Sequence, residues 1–524
     1  MLYRKPAVKQ NVNPTNERQP VLELEEALNI LYNQVIKLNT NEQRAYIFRC
    51  YLGLFRQMGA ANIEVNMAAI TAHLLSLPAN ARFHNSYNDT LYIRSSVVHL
   101  LKNVGKMLGE TAQGQAVNDL VSEYLLKYDP ESEESVSHHS ITCALYQISN
   151  ILSDLGAASI SLRDSLDKGL VHVLYHPSDA VNLALSWTMK TFCITNPSIT
   201  AGFIDQLLNI LQKDHATIIS DKADVLHRFV GTGRVLSAII SAIAFNPLYV
   251  PYEHSARAFG FSIQLLKQSN SCKEFRVQCS QLEVAWNIIS ALLTIGPTFV
   301  QAHTSQLFLS WKSIFGKPTK DTSGERPEEE ILQQIIIKSC ALNAVLSFLD
   351  NNAAELVTQD VAKRFAVFIN NAGSFISNLP RYYNSPVMAT KIADHELMLR
   401  KRLFQCCVKL SPRSAYENSH INLIDMAIET FGQDFERYLS KFQIAPSGSE
   451  EAILNPTLEI PLHTSYLKNY HIRVCDHLPM DDRSIGTFFD SSNELKEFED
   501  FVSFLDYLSV LLTLIGEPVL AQVV

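Results

Sequence analysis

The sequence has nine cysteines, an odd number, and no CxxC spacing among them. Nothing in it argues for a disulfide framework, and a reduced, cytosolic chain is the simpler reading. With no positively charged leader running into an apolar core, nothing argues for secretion. No stretch is expected to reach the roughly 18 uncharged apolar residues of a membrane-spanning helix. The run from Val235 to Phe245 is too short, and the C-terminal stretch carries Asp506 and Glu517. Basic charge is scarce: 44 Lys and Arg against 53 Asp and Glu leave a formal net charge of -9. Neutralising a phosphate backbone needs a concentrated basic surface, so nucleic acid is not an expected partner. The one compact basic cluster, Arg400-Lys401-Arg402, lies in a helix-patterned stretch and reads as a solvated face.

What the sequence does have is a period. Pro197, Pro247 and Pro297 recur at an interval of 50, each between two apolar, helix-patterned stretches. Before them lie Val181, Ala184, Leu185, Thr188 and Phe192, then Val235, Leu236, Ile239, Ile240 and Ile243, then Leu282, Ala285, Ile288, Ile289, Leu292 and Leu293. Spacings of three and four are those of a helix with one buried and one wetted face, whereas strands would alternate. Asn196 and Asn246 are good N-caps, proline suits a first helical turn, and Gly296 suits a C-cap before Pro297. Beyond the turns, Ile204, Leu207, Leu208 and Leu211 form one stripe, and Val300, Leu307, Phe308 and Trp311 another. Looser versions of the turn are expected at Asp350-Asn351-Asn352 and Leu410-Ser411-Pro412.

These features predict an all-α fold, a solenoid of antiparallel helix pairs, which escapes the size limit of a single core by adding units. Residues 1–19 read as a flexible lead-in and 20–442 as the solenoid, with loops near 129–137 and 316–330. Residues 443–494 read as an irregular linker, and 495–524 as a truncated C-terminal helical segment. Short connections between the helices around Leu24 to Val35, Ala45 to Phe55 and Ile63 to Leu74 favour antiparallel neighbours.

The candidate reactive groups are read against plainer roles. His172 and His176, four apart, have zinc-pair spacing without a third ligand nearby, so no metal is expected. Gly231-Thr232-Gly233 lacks the third glycine and preceding strand of a phosphate loop, and is expected to be a helix-connecting turn. Ser137-His138-His139-Ser140 pairs hydroxyls with imidazoles but borders an acidic loop, so solvated residues are expected rather than a nucleophile and its base. Of Cys406 and Cys407, one is expected in the core. Ser132 and Ser135, beside acids, would suit an acid-directed kinase, although a solvated charge run is the plainer reading. Trp187, Trp286 and Trp311 are expected to fill space between units. No catalytic residue and no cofactor is expected.

Several segments together resemble a known family. They are Leu174-Tyr175-His176-Pro177-Ser178 with Ala184-Leu185-Ser186-Trp187, the stretch from Ala285 to Gly296-Pro297, Leu108-Gly109-Glu110-Thr111-Ala112-Gln113, Leu309-Ser310-Trp311-Lys312 with Phe315, and Arg402-Leu403 with Leu410-Ser411-Pro412. Taken in chain order, over roughly residues 80 to 430, they are similar to an internal portion of the HEAT-repeat-containing protein 5 family, whose fungal members are called large AP-1 accessory proteins. The resemblance implies a HEAT/ARM-type solenoid with repeat turns at Pro177, Asn196, Pro197, Asn246, Pro247, Gly296, Pro297 and Pro412. It further implies a non-enzymatic scaffold associated with the clathrin adaptor complex AP-1 and its accessory proteins. Such a scaffold would be peripheral at the trans-Golgi network, endosomes and clathrin-coated vesicles, and would support retrograde endosome-to-Golgi transport. Family members are several times longer than this chain, and Asn182 stands where HEAT helices often carry an arginine linking neighbouring units. Alternatives are a karyopherin-like nuclear transport receptor, also an acidic helical solenoid, and the helical arm of a larger kinase-like enzyme whose active site lies elsewhere.

Overall fold

The computed structural model describes residues 22–410 apart from 86, 133–134, 220–224, 273, 317–326 and 381–382. The expectations for residues 1–19, for Pro412 and for 411–524 lie outside the described residues. Those described form an all-α array of helical-repeat type, without strands. It divides into two units, one ending at Thr195 and the other starting at Asn196.

The first unit holds α1 (Leu24–Lys37), α2 (Asn41–Met58), α3 (Ala60–Ala79), α4 (Tyr87–Gly105), α5 (Glu110–Leu120), α6 (His138–Leu155), α7 (Arg163–His172) and α8 (Asp179–Thr195). Local chemistry fixes several ends. Glu23 and Glu26 form a capping box on α1, and Thr40 caps α2 by accepting from the Gln43 amide. Gly59, at φ 73°, takes the sharp corner between α2 and α3, a backbone region that favours glycine. The early stripes are buried as expected: Ala27, Leu28, Leu31 and Val35 on α1, and Ile63, Met67, Ile70 and Leu74 on α3.

The second unit holds α9 (Thr200–Ile219), α10 (Leu226–Ala242), α11 (Tyr252–Ser269), α12 (Phe275–Leu292), α13 (Pro297–Ile314), α14 (Glu328–Leu356), α15 (Gln359–Ser377) and α16 (Pro386–Leu410). They pair in chain order, α9 with α10, α11 with α12, α13 with α14 and α15 with α16. The even-numbered members also pack on one another in sequence, α10 on α12, α12 on α14 and α14 on α16, and form an inner row. The odd-numbered members make an outer row. In the first unit α4, α6 and α8 form the corresponding inner row.

The inner helices depart from the expected one-sided burial. Residues 284–292 of α12 are buried without a break, as are 231–242 of α10, 339–349 of α14 and 180–193 of α8. Nine or more consecutive buried residues cover every face of a helix, so these segments have no wetted side. For the same reason two helices reach the length and hydropathy of a membrane span, contrary to expectation. Leu226–Phe245 and Glu328–Asn352 have mean hydropathies of 1.4 and 1.5, and 78% of each window is buried inside the stack.

The turn expected at Asp350-Asn351-Asn352 is instead inside α14, which runs on to Leu356. Asn352 is buried and donates from Nδ2 to the Leu293 carbonyl at 2.8 Å, while Asp350 pairs with Lys409 at 2.6 Å. The break comes later, where Thr358 caps α15 by accepting from the Val361 amide. The expected loop of 316–330 ends by Pro327, because Glu328, Glu329 and Glu330 form the acidic first turn of α14.

Candidate functional site

The repeat turns use backbone rather than side-chain caps. Pro197 and Pro247 each open a short 3-10 turn, Pro197–Ile199 and Pro247–Tyr249. Neither Asn196 nor Asn246 caps through its side chain, contrary to expectation. Their carbonyls instead accept from the Ile199 and Tyr249 amides, each at 3.2 Å. Gly296 is also reassigned. It precedes α13 as the N-cap at φ 123°, with Pro297 the first helical residue, whereas α12 has already ended at Leu292. Pro177 lies exposed in the turn between α7 and α8, and Asn182 braces that turn by donating to the His176 carbonyl at 3.1 Å.

The middle turn breaks the pattern of its neighbours. Two residues after the proline, Ile199 and Phe299 are buried, but Tyr249 is exposed. One residue after it, Ser198 and Thr298 are matched by Leu248, which is 97% exposed. Tyr252 follows at 57% exposure, and its hydroxyl meets His303 Nε2 at 3.3 Å.

The inner row is held by short polar links across helices. Arg234 of α10 reaches Glu283 of α12 at 3.1 Å, Ser290 of α12 meets Ser347 of α14 at 2.9 Å, and Asn343 donates to Ser290 at 3.1 Å. Arg402 of α16 donates to Ser339 of α14 at 2.6 Å. In the first unit Ser149 meets Thr191 at 2.9 Å, and Thr188 donates to the Leu145 carbonyl at 2.9 Å. Buried hydroxyls and amides satisfied in this way fix the register between helices.

The outer row is joined differently. Arg257 of α11 binds Asp205 of α9 at 2.9 Å and Asn209 at 2.6 Å, while His254 meets Asp205 at 3.1 Å. Between α11 and α13 the contact is aromatic, with Phe259 and His303 ring centroids 4.1 Å apart.

The candidate reactive groups all have structural places. Gly231, Thr232 and Gly233 lie buried inside α10, neither a phosphate loop nor the expected turn. A Cβ at Gly233 would sit 2.8 Å from Val284, so this glycine permits close approach of α10 and α12. His138 opens α6 and His139 is buried, not solvated as expected. The ring of His139 lies 4.3 Å from that of His84 and 3.8 Å from that of His138, with Arg94 Nη1 3.4 Å from its Nδ1. Burial, then electrostatic interaction with His138, Arg94 and His84, pushes its pKa down to about 2. It stays neutral at ordinary pH, and among the described residues no carboxylate is bonded to it to orient it as a base.

His172 bonds the Tyr128 carbonyl at 2.8 Å, and His176 accepts from the Ser178 amide. His172 ends α7 and His176 lies in the turn beyond it, so they do not share a helix face. Among the described residues no group of three or more His, Cys, Asp or Glu is placed to hold a metal ion. Cys406 and Cys407 are both buried, where one was expected, and Cys406 Sγ donates to the Leu342 carbonyl at 3.7 Å. Arg402 is buried and Arg400 pairs with Glu396, so that stretch is not the expected solvated face. Ser132 is exposed, while the Ser135 hydroxyl accepts from the Asp129 amide at 3.0 Å. The three tryptophans fill the core as expected, with Trp286 and Trp311 stacked at 6.0 Å and Trp311 donating to the Ala341 carbonyl.

The array offers surface, held in register by its inner row, and the residues it leaves free to meet another molecule are on the outer row and its turns. Sequence reasoning did not single out Leu248, Tyr249 or Tyr252. The available signal was a stretch without Asp, Glu, Lys or Arg from Val235 through Tyr252 that runs past the end of its helix. No family model matches the sequence.

Proposed function

We propose that this protein is a non-enzymatic helical-repeat scaffold in clathrin- and AP-1-linked membrane traffic. It acts at the cytoplasmic face of the trans-Golgi network and endosomes, and supports endosome-to-Golgi retrograde transport. The observation that carries the scaffold reading is the stacking of helices in chain order, which buries long segments of the inner row on every face and leaves an outer row to vary without disturbing the core. The imidazoles and thiols that could have pointed to chemistry are engaged in packing and backbone bonds.

The adaptor assignment rests on the family resemblance. The residues carrying it fall at places the fold uses: 174–178 in a repeat turn, 184–187 buried on α8, and 285–297 across the end of α12 and the turn into α13. The chain, immobilised after circular dichroism has verified its helicity, is expected to retain purified AP-1 complex or its accessory proteins. If it retains neither, the adaptor assignment fails for these residues.

A further inference from the structure

We infer that the first turn of α6 and the turn between α7 and α8 form a proton-released latch, held shut while His139 and His176 are neutral and opened when they take up protons. His138 joins the two rings, since its own ring lies 3.8 Å from that of His139 and it interacts electrostatically with His176.

The hydrogen bonds carry the inference. Arg94 of α4 donates through Nη1 to His139 Nδ1 at 3.4 Å, and the Ser178 amide donates to His176 Nδ1 at 3.0 Å. A guanidinium and a backbone N–H can only donate, so each Nδ1 is bare and each ring carries its one proton on Nε2. A second proton has no place but Nδ1, where it would face a donor. Protonation therefore breaks these bonds, and neither ring takes up its proton without leaving its partner.

Among the described residues, the groups facing the two rings are cationic or neutral. Around His139 are Arg94 from α4, His84 from the 3-10 turn Ala81–Asn85, and His138 beside it on α6. His84 is itself bonded to the Pro78 carbonyl near the end of α3 at 2.9 Å. One turn further along α6, the Cys143 thiol donates to the Arg94 carbonyl, and burial pushes its pKa up to about 12. Around His176 are the Tyr128 ring at 4.5 Å, His138, and Asn182 of α8 on its carbonyl. His172 is engaged with the Tyr128 carbonyl. Asp89 of α4 pairs with Arg44 of α2 at 2.9 Å, and Asp129 bears on Tyr128.

The sign of the effect follows. Both rings are buried, and burial first, then their neighbours, lowers the pKa to about 2 for His139 and about 4 for His176, against about 6.5 for a histidine in water. Opening therefore takes up protons, and it is favoured as pH falls below about 6.5. Each ring released adds about tenfold to the opening equilibrium between about pH 7.5 and 5.5, and the two together about 100-fold. The inner helix α12 of the second unit holds neither ring and supplies a reference. The inference does not depend on the adaptor assignment.

The test is amide hydrogen exchange of the full chain at about pH 7.5 and 5.5, corrected for the intrinsic pH dependence of exchange. Protection over 138–147 and 173–182 is expected to fall about 100-fold more than over 284–292 of α12. His139→Asn and His176→Asn each keep an acceptor oxygen at the place of Nδ1 but do not titrate. Each is expected to remove about tenfold of that excess and the double variant all of it, with circular dichroism at neutral pH showing the variants folded. The inference is overturned if the parent's excess is below about tenfold, or if the double variant keeps it. Should the double variant not fold, the single variants decide, and the inference is overturned if neither lowers the excess.

Discussion

Helices α11 and α12 are packed side by side in the second unit but obey different rules. α11 buries a stripe including Ala258, Phe259, Ser262 and Leu265, and leaves Tyr252, Arg257 and Gly260 in water. α12 has no such division from Val284 onward, and there Ser290 bonds to Ser347 of the next inner helix rather than to solvent. Amphipathic period therefore identifies the outer row, whereas the inner row is marked by composition: apolar residues mixed with small hydroxyl and amide side chains and a few buried charges such as Lys190 and Arg234.

The comparison can be broken or sharpened by mutation. The largest effect is expected from Trp311→Ala, which empties a fully buried site against Trp286, Phe308 and Phe365. It should cost about 3–5 kcal/mol, read as a lower urea midpoint. A midpoint near the parent's would mean that this joint is not closely packed.

Acid gives the next effect. Burial and His138 hold the His176 pKa down to about 4, below the unfolded value near 6.5. Between these values the unfolded state binds more protons, so stability falls as pH drops from about 6.5 to 4, by roughly 3 kcal/mol for this residue. Asp154 and Asp167 have raised pKa values and act in the opposite sense. The clean measurement is therefore the difference in pH dependence of unfolding between the parent and His176→Gln. Parallel curves would remove the prediction.

The glycines provide the sharpest pair. Gly233→Ala forces a methyl group against Val284 and should destabilise by about 1–3 kcal/mol. The same change at Gly260 meets open space and should stabilise by up to about 1 kcal/mol. Thermal melts of the two variants should shift in opposite directions, and shifts of the same sign would erase the distinction between the rows.

This distinction explains what could be read from sequence. The stripe Val300, Leu307, Phe308 and Trp311 was legible because α13 is an outer helix with one buried side. Gly231-Thr232-Gly233 and Asp350-Asn351-Asn352 were misread for one reason. Glycine and asparagine have strong local turn preferences, but here they serve contacts with Val284 and Leu293, about 50 or more residues away, beyond any local window. Asn196 and Asn246 marked the turns correctly although their side chains do not cap them. The exposed Leu248 was not singled out, although it lies in the uncharged stretch from Val235 through Tyr252 that runs past the end of α10.

The unequal fastening of the two rows also sets a mechanical direction. The Arg234–Glu283 and Ser290–Ser347 links tie the inner helices tightly, while α9 and α11 meet mainly through the Arg257 fork. Under load the second unit should splay like a fan, with its ribs pinned along one edge, so that compliance is concentrated in the gaps between α9, α11 and α13.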